Sequence, residues 1–284
     1  MRKTFLVLFI VCLTAALAVA QAPPPASVCE IHINKVKPGM TAQYEQGRAK
    51  HMAWHKAQKD AWSWDVWEYT TGADTGNYLV AACGHDWKDF DTRGKFDVAD
   101  SADAAASIGP YLAGSTMAYY VHRSDLTGAH KMGATPPAYL SVIHFFLKPE
   151  GVLDFADGVK KINAAFDKTN TPRTVQDWYS LANGGHGPEL VLVQERKNIG
   201  EMAGTSAKTL DAIMQEAYGA EGATIMGALR KSYWSSTSEL LHFRSDLSYM
   251  APAAKQLRNC RTTESPALCS TGLRAVGSAE TRFW

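Results

Sequence analysis

Hydrophobic and polar positions alternate in two successive series along this chain, and the order of elements is the same in both. Residues 28–36 read as a strand that ends at Lys37-Pro38-Gly39, a turn that opens a helix over 41–59. Residues 62–69 alternate like a second strand, 72–77 carry turn chemistry, and 78–83 form a third strand. An Ala-rich helical region over 101–113 then leads to a last strand over 116–122. The second series gives strands at 139–147, 174–181, 190–195 and 239–243, with helices over 153–168 and 206–229.

The two series are related by more than order. A shift of 111 residues lays Lys37-Pro38 on Lys148-Pro149, Tyr44 on Phe155, Gly47 on Gly158 and Lys50 on Lys161. It also lays Trp67 on Trp178, Gly76 on Gly187 and Leu79-Val80 on Leu190-Val191. Arg123-Ser124-Asp125-Leu126 recurs as Arg244-Ser245-Asp246-Leu247, with a shift of 121. The pattern reads as a tandem duplication: repeat 1 over 28–126, a Gly- and Pro-containing linker over 127–138, and repeat 2 over 139–247. A polar tail over 248–284 follows. Each repeat has the βαββαβ order of the ferredoxin-like unit, an α+β class with helices on one face of an antiparallel sheet. That sheet order sets the first and third strands side by side and antiparallel, which brings Cys29 near Cys83 and predicts a disulfide between them. Each sheet's other face is apolar and needs cover, so two repeats in one chain packed sheet to sheet predict an intramolecular barrel and a monomer.

Residues 1–20 carry the marks of a secretory signal: Arg2 and Lys3, an apolar run from Thr4 to Leu17, and Ala18-Val19-Ala20 before a cut at Gln21. The Pro-rich segment 21–27 follows, and the apolar run is shorter than the roughly 20 residues of a spanning helix. The expected protein is therefore exported, periplasmic or extracellular, and free of the membrane after cleavage. Cys12 leaves with the signal, and the other four cysteines suit an oxidising compartment, with Cys260–Cys269 as the second disulfide. The 29 basic and 28 acidic residues give a net charge of +1, and removal of Arg2 and Lys3 takes it to −1. Neither value favours nucleic acid as a partner.

A strand closing on Val36-Lys37-Pro38-Gly39, followed by a helix with Tyr44 one turn in, resembles the dimeric α/β-barrel superfamily. Antibiotic-biosynthesis-type and haem-degrading monooxygenases, EthD-like and NIPSNAP-like proteins belong to it. The resemblance spans both repeats but not the tail, and only the first repeat keeps the Lys-Pro-Gly element intact. It implies a fused pseudo-dimer with a ligand site in the cleft between helix and sheet. It implies no single reaction.

Comparison of the repeats marks candidate residues. The first helix of repeat 2 presents Phe155, Val159, Ile162 and Phe166 at helical spacing, an apolar stripe. Repeat 1 has Tyr44, Arg48, His51 and His55 there. Polar groups on a buried face are costly unless they are paired or line a cavity. The leading reading takes Arg48, His51 and His55 as catalytic groups and Tyr44, Trp54, Trp64 and Trp67 as walls for a small apolar or aromatic molecule. It makes the protein an exported small-molecule-binding protein, with a cofactor-independent oxygenase or isomerase as its enzymatic form. No cofactor motif is present and none is expected on this reading. A second reading uses the i, i+4 imidazoles of His51 and His55 as metal ligands, the third coming from His32, Asp65, His85 or Asp86, or has one of them ligate haem. A third rotates the helix so that Tyr44, Gly47, His51 and Trp54 are buried and Arg48 and His55 face solvent, leaving a non-catalytic binding or interaction scaffold. His32 and His144 fall on opposite sheet faces in the ungapped shift and do not form a symmetric pair.

Overall fold

A computed structural model describes residues 27–252, apart from 129–131, 134 and 205; the expected signal, the Pro-rich segment (Ser27 apart) and the Cys260–Cys269 pair lie outside the described residues. The N-terminal half runs β1 (Val28–Val36), α1 (Thr41–Gln58), β2 (Asp65–Tyr69), β3 (Tyr78–His85), α2 (Trp87–Thr92), α3 (Gly94–Ser107), β4 (Leu112–His122) and the short α4 (Ser124–Thr127). The C-terminal half runs β5 (Tyr139–Leu147), α5 (Val152–Lys168), β6 (Gln176–Asn183), β7 (Glu189–Arg196), α6 (Leu210–Tyr218), α7 (Ala220–Lys231) and β8 (Tyr233–Phe243). The eight strands pair antiparallel in a closed order, β1-β3-β2-β8-β5-β7-β6-β4.

Strand alternation sorts the side chains into two layers. Inside the closed sheet lie Trp67, Tyr69, Leu140, Val142, Val191 and Leu241, with Ile33, Leu79 and Phe243 packed against them. On the outer face Val66, Tyr78, Val80 and Ala82 meet α1, while Trp178 and Leu190 form the matching layer against Phe155 and Val159 of α5. The seams between halves are β2–β8, where Trp67 pairs with Phe243, and β4–β6, where Tyr120 pairs with Leu181. Both Arg-Ser-Asp-Leu segments sit at these seams. The Arg123 N–H donates to Trp178 O at 2.7 Å and the Arg244 N–H to Val66 O at 2.9 Å. The Arg244 guanidinium reaches the other half as well, bonding Glu68 at 3.0 Å and also Glu45.

Cys29 and Cys83 stand opposite each other on β1 and β3, with Cα atoms 4.0 Å apart, and are joined by a disulfide. It closes a separation of 54 residues, worth about 4 kcal/mol in the chain-entropy account. Three expectations about elements need correction. The helix expected over 206–229 is broken into α6 and α7 at Gly219, whose φ of +60° a helix cannot hold. The last strands begin earlier than expected, at Leu112 and Tyr233; their Ser- and Thr-rich starts are exposed and gave no apolar alternation to read. The Ala-rich region is α3, ending at Ser107, and α2 precedes it. Among the described residues no helix is long and apolar enough to cross a membrane.

Candidate functional site

The site grows from α1. Tyr44, Gly47, Arg48, His51, Met52 and His55 make its buried face, so the rotated-helix reading fails: Arg48 is 4% and His55 1% exposed. Trp54, which that reading buried, is half-buried and packs on the imidazoles, stacked on His51 at 6.0 Å and edge-on to His55 at 5.2 Å.

Two local features bring carboxylates to these imidazoles. Lys59 caps α1 in the left-handed region (φ 55°), which turns the chain so that Asp60 N–H reaches back to His55 O. Asp60 then accepts from His55 Nδ1 at 2.9 Å, Trp64 Nε1 at 3.0 Å, Trp62 N–H at 3.0 Å and Arg93 Nη1 at 2.8 Å. Burial alone would raise its pKa, but these donors outweigh burial and hold the carboxyl well below the usual range. The second feature is Gly47. A methyl there would stand 2.1 Å from Ser107 O, so α3 can lie against α1 only because residue 47 has no side chain. The approach delivers Asp103, whose Oδ2 is 2.7 Å from His51 Nδ1, and Asp100, whose Oδ1 is 3.3 Å from the Nε2 of both His51 and His55. The two Nε2 atoms are 3.2 Å apart. Burial disfavours a charged His55, but Asp100 and Asp60 more than offset it and raise its pKa.

Beside this cluster is a cavity of about 440 Å³ between α1, α3 and the sheet. Arg48, His51, His55, Trp64, Arg93 and Asp100 line it, as do Glu30, His32, Asn34 and Ser115 from β1 and β4. Arg48 is the exceptional member. Its Nε and Nη2 are buried and make no hydrogen bond, and burial pushes its pKa down, with Tyr44 and Asp100 acting in the opposite direction. Arg93, by contrast, is fully engaged, lying 4.1 Å over Trp62 and bonded to Asp60 and Asp97.

Of the expected wall residues, Trp64 lines the cavity. Tyr44 does not; it is in the core beside Tyr78 (4.7 Å) and accepts from Asn34 Nδ2 at 3.1 Å. Trp67 lies inside the closed sheet against Phe243, on the wrong face for this cleft. The third group beside the His pair is Asp100. His32 pairs with Glu30 at 2.6 Å, His85 stacks on Trp62 at 3.7 Å, and Asp86 begins α2. His144 lies on the inner face, paired with Glu189 and Glu239, so His32 and His144 do face opposite ways. Asp60, Arg93, Asp100 and Asp103 were missed. For Asp100 and Asp103 the signal was Asp97, Asp100 and Asp103 at intervals of three, a stripe on one helix face; Asp60 and Arg93 carried none.

Haem, which the resemblance allows, does not fit the imidazoles as arranged. An axial Nε2 needs open space around it for a flat macrocycle, and here each has Asp100 Oδ1 and the other imidazole within 3.3 Å.

No family model and no curated relative matches this sequence. Solved structures do. An anthrone oxidase-like protein matches at 12% identity and TM-score 0.50, covering 80% of this chain and 94% of that one. A provisionally assigned monooxygenase from Lactobacillus acidophilus NCFM matches at 9% identity and TM-score 0.48, covering 80% and 97%. A chlorite dismutase variant from Candidatus Nitrospira defluvii matches at 10% identity and TM-score 0.49, covering 77% and 92%. At these identities the likeness is one of architecture, and the architecture is the ferredoxin-like, dimeric α/β-barrel fold to which the sequence pattern pointed.

Proposed function

We propose that the cleft of the N-terminal half binds a small aromatic or apolar molecule bearing one anionic oxygen group, and that the protein is an enzyme of oxygenase or isomerase type acting on it there. Arg48 carries this reading. A guanidinium cannot shed its charge in a protein, and a buried one without a partner costs several kcal/mol. Its Nε and Nη2 donors form the fork that a carboxylate or enolate accepts; both atoms are closed off from the cavity, so the side chain turns to present them when the ligand enters. Trp64 and Phe90 offer the ligand's body flat apolar walls, and His51 and His55 are the reactive groups beside it. The same reading treats the two halves as a duplicated unit fused into an intramolecular pseudo-dimer, exported and monomeric, with the Cys29–Cys83 disulfide suited to that compartment.

A thermal-shift panel of small aromatic carboxylates tests the site. Wild type is expected to gain stability with at least one of them, and Arg48→Met with none. Equal responses from both proteins would refute the role of Arg48. Mass spectrometry of the bound compound after incubation under air and under argon then separates the reaction types. Added oxygen that requires air marks an oxygenase, and an altered spectrum at unchanged mass marks an isomerase.

A further inference from the structure

We infer that His51 Nε2, His55 Nε2 and Asp100 Oδ1 form a binding site for one divalent transition-metal ion, open towards the cavity. The inference builds on the reading of this cleft as a small-molecule site but uses different atoms from the Arg48 anchor, so the two can fail separately.

The argument begins with where the protons are. Each imidazole has its Nδ1 against a carboxylate oxygen, Asp103 at 2.7 Å and Asp60 at 2.9 Å. A carboxylate accepts, so each Nδ1 carries the hydrogen, and an ion that displaces any second proton from the rings meets a lone pair on each Nε2. Those lone pairs converge with Asp100 Oδ1 on one point, at the corners of a triangle with edges of 3.2, 3.3 and 3.3 Å. Three acceptors packed so closely repel unless a cation lies among them. A single proton can bridge only one pair, and Asp100 Oδ1 is buried with no well-formed hydrogen bond. An ion satisfies all three at once: ligand atoms about 2.0–2.1 Å from a tetrahedral ion stand about 3.3 Å apart. The Nδ1 carboxylates are the outer partners that orient metal-bound histidines.

Charge and donor type agree. Asp60, Asp97, Asp100 and Asp103 outnumber Arg48 and Arg93 around two neutral rings, which leaves room for a double positive charge. Two imidazoles and one carboxylate suit zinc, iron(II) or cobalt(II) rather than calcium or magnesium, which take oxygen ligands. Three protein ligands leave positions free for a water or for an oxygen of the molecule on Arg48, where the ion would supply Lewis acidity.

The test uses the full chain, stripped with EDTA, dialysed and titrated with zinc chloride by calorimetry. Cobalt(II) titration followed by visible absorption reads the geometry independently. Wild type is expected to take one ion per chain in or below the micromolar range, and to show the intense visible bands of four- or five-coordinate cobalt. His55→Ala and Asp100→Asn should abolish both signals. Asp103→Asn should weaken zinc binding by about 10- to 100-fold. Arg48→Met, which removes a positive charge that attracts Asp100, should keep zinc binding or tighten it, never abolish it. Asp100, at the rim of the cavity, keeps the test alive if His55→Ala fails to fold, with circular dichroism as the check. No zinc uptake by wild type, or equal uptake by folded Asp100→Asn, would overturn the metal site. A carboxylate response that depends on Arg48 would then still stand.

Discussion

At the 111-residue shift, α1 presses Tyr44, Arg48, His51 and His55 towards its part of the sheet, where α5 presses Phe155, Val159 and Ile162, with Phe166 packed against α6 and α7. Both helices leave cavities of similar size, about 440 and 510 Å³. The second is floored by rings, with Phe155 5.0 Å from Phe145 and 5.9 Å from Trp178. Arg173, Arg196, Lys208 and Arg230 also line it, the first two with a buried Nε that makes no hydrogen bond, and there is no carboxylate among its described lining residues. The first cavity has imidazoles, carboxylates and an orphaned guanidinium in place of the aromatic floor. One backbone layout thus supports two chemistries. In the first half, burying the polar groups of α1 is offset by partners brought from outside the helix, except at Arg48, where neither Nε nor Nη2 has one. That exception marks a place where the structure gives up stability for something other than folding.

The sharpest way to break the comparison is to exchange the matched positions. Val159→Arg puts a guanidinium into a cavity with no carboxylate to receive it and is expected to cost about 3–5 kcal/mol in chemical denaturation. A loss below about 1 kcal/mol would show that the second cleft tolerates charge as the first does.

The paired glycines come next. Gly47→Ala meets the Ser107 carbonyl oxygen at 2.1 Å, a rigid backbone atom, whereas a methyl at Gly158 meets the Leu229 side chain, whose Cδ1 at 2.7 Å can turn away and whose Cβ at 3.0 Å needs only a small shift. Gly47→Ala should therefore cost about 1–3 kcal/mol, displace α3 and weaken every ligand response of the cleft, with Gly158→Ala well below that. Equal losses would mean that the α1–α3 approach does not set the site.

The smallest change near neutrality concerns the inner face, where a polar cluster spans the halves. His144 Nδ1 is 2.5 Å from Glu189 and its Nε2 3.3 Å from Glu239, while Tyr120 OH donates to Glu189 at 3.2 Å. Burial opposes a charge on His144, but the two carboxylates prevail and raise its pKa to about 9. Above its unfolded value near 6.5, such a histidine binds its proton only in the folded state. Its stabilisation is complete below about pH 6.5 and is lost as pH rises through about 9. Thermal midpoints should fall across that window in wild type and stay flatter in His144→Phe. Parallel curves would remove the charged pairing from the account.

Much of this was legible in the sequence. Alternation and turn residues placed β1 and β5 with correct ends, and the order of elements put Cys29 opposite Cys83. The mismatch between Arg48-His51-His55 and Val159-Ile162-Phe166 located the cleft. What periodicity could not show was which distant groups would meet there. Asp60 arrives through a left-handed cap and Asp100 through a helix contact that depends on Gly47, and both are tertiary events. Trp67 misled because a tryptophan in a strand faces either layer with equal ease, and only the register, one residue from Val66, sends it inwards.

The most direct measurement is the equilibrium stability of Arg48→Met without any ligand. If Arg48 is held unpartnered for a ligand, replacing it with an apolar chain of similar length should raise stability while abolishing the carboxylate response. A fall in stability would show that the guanidinium is a structural member of the core, and would contradict the account.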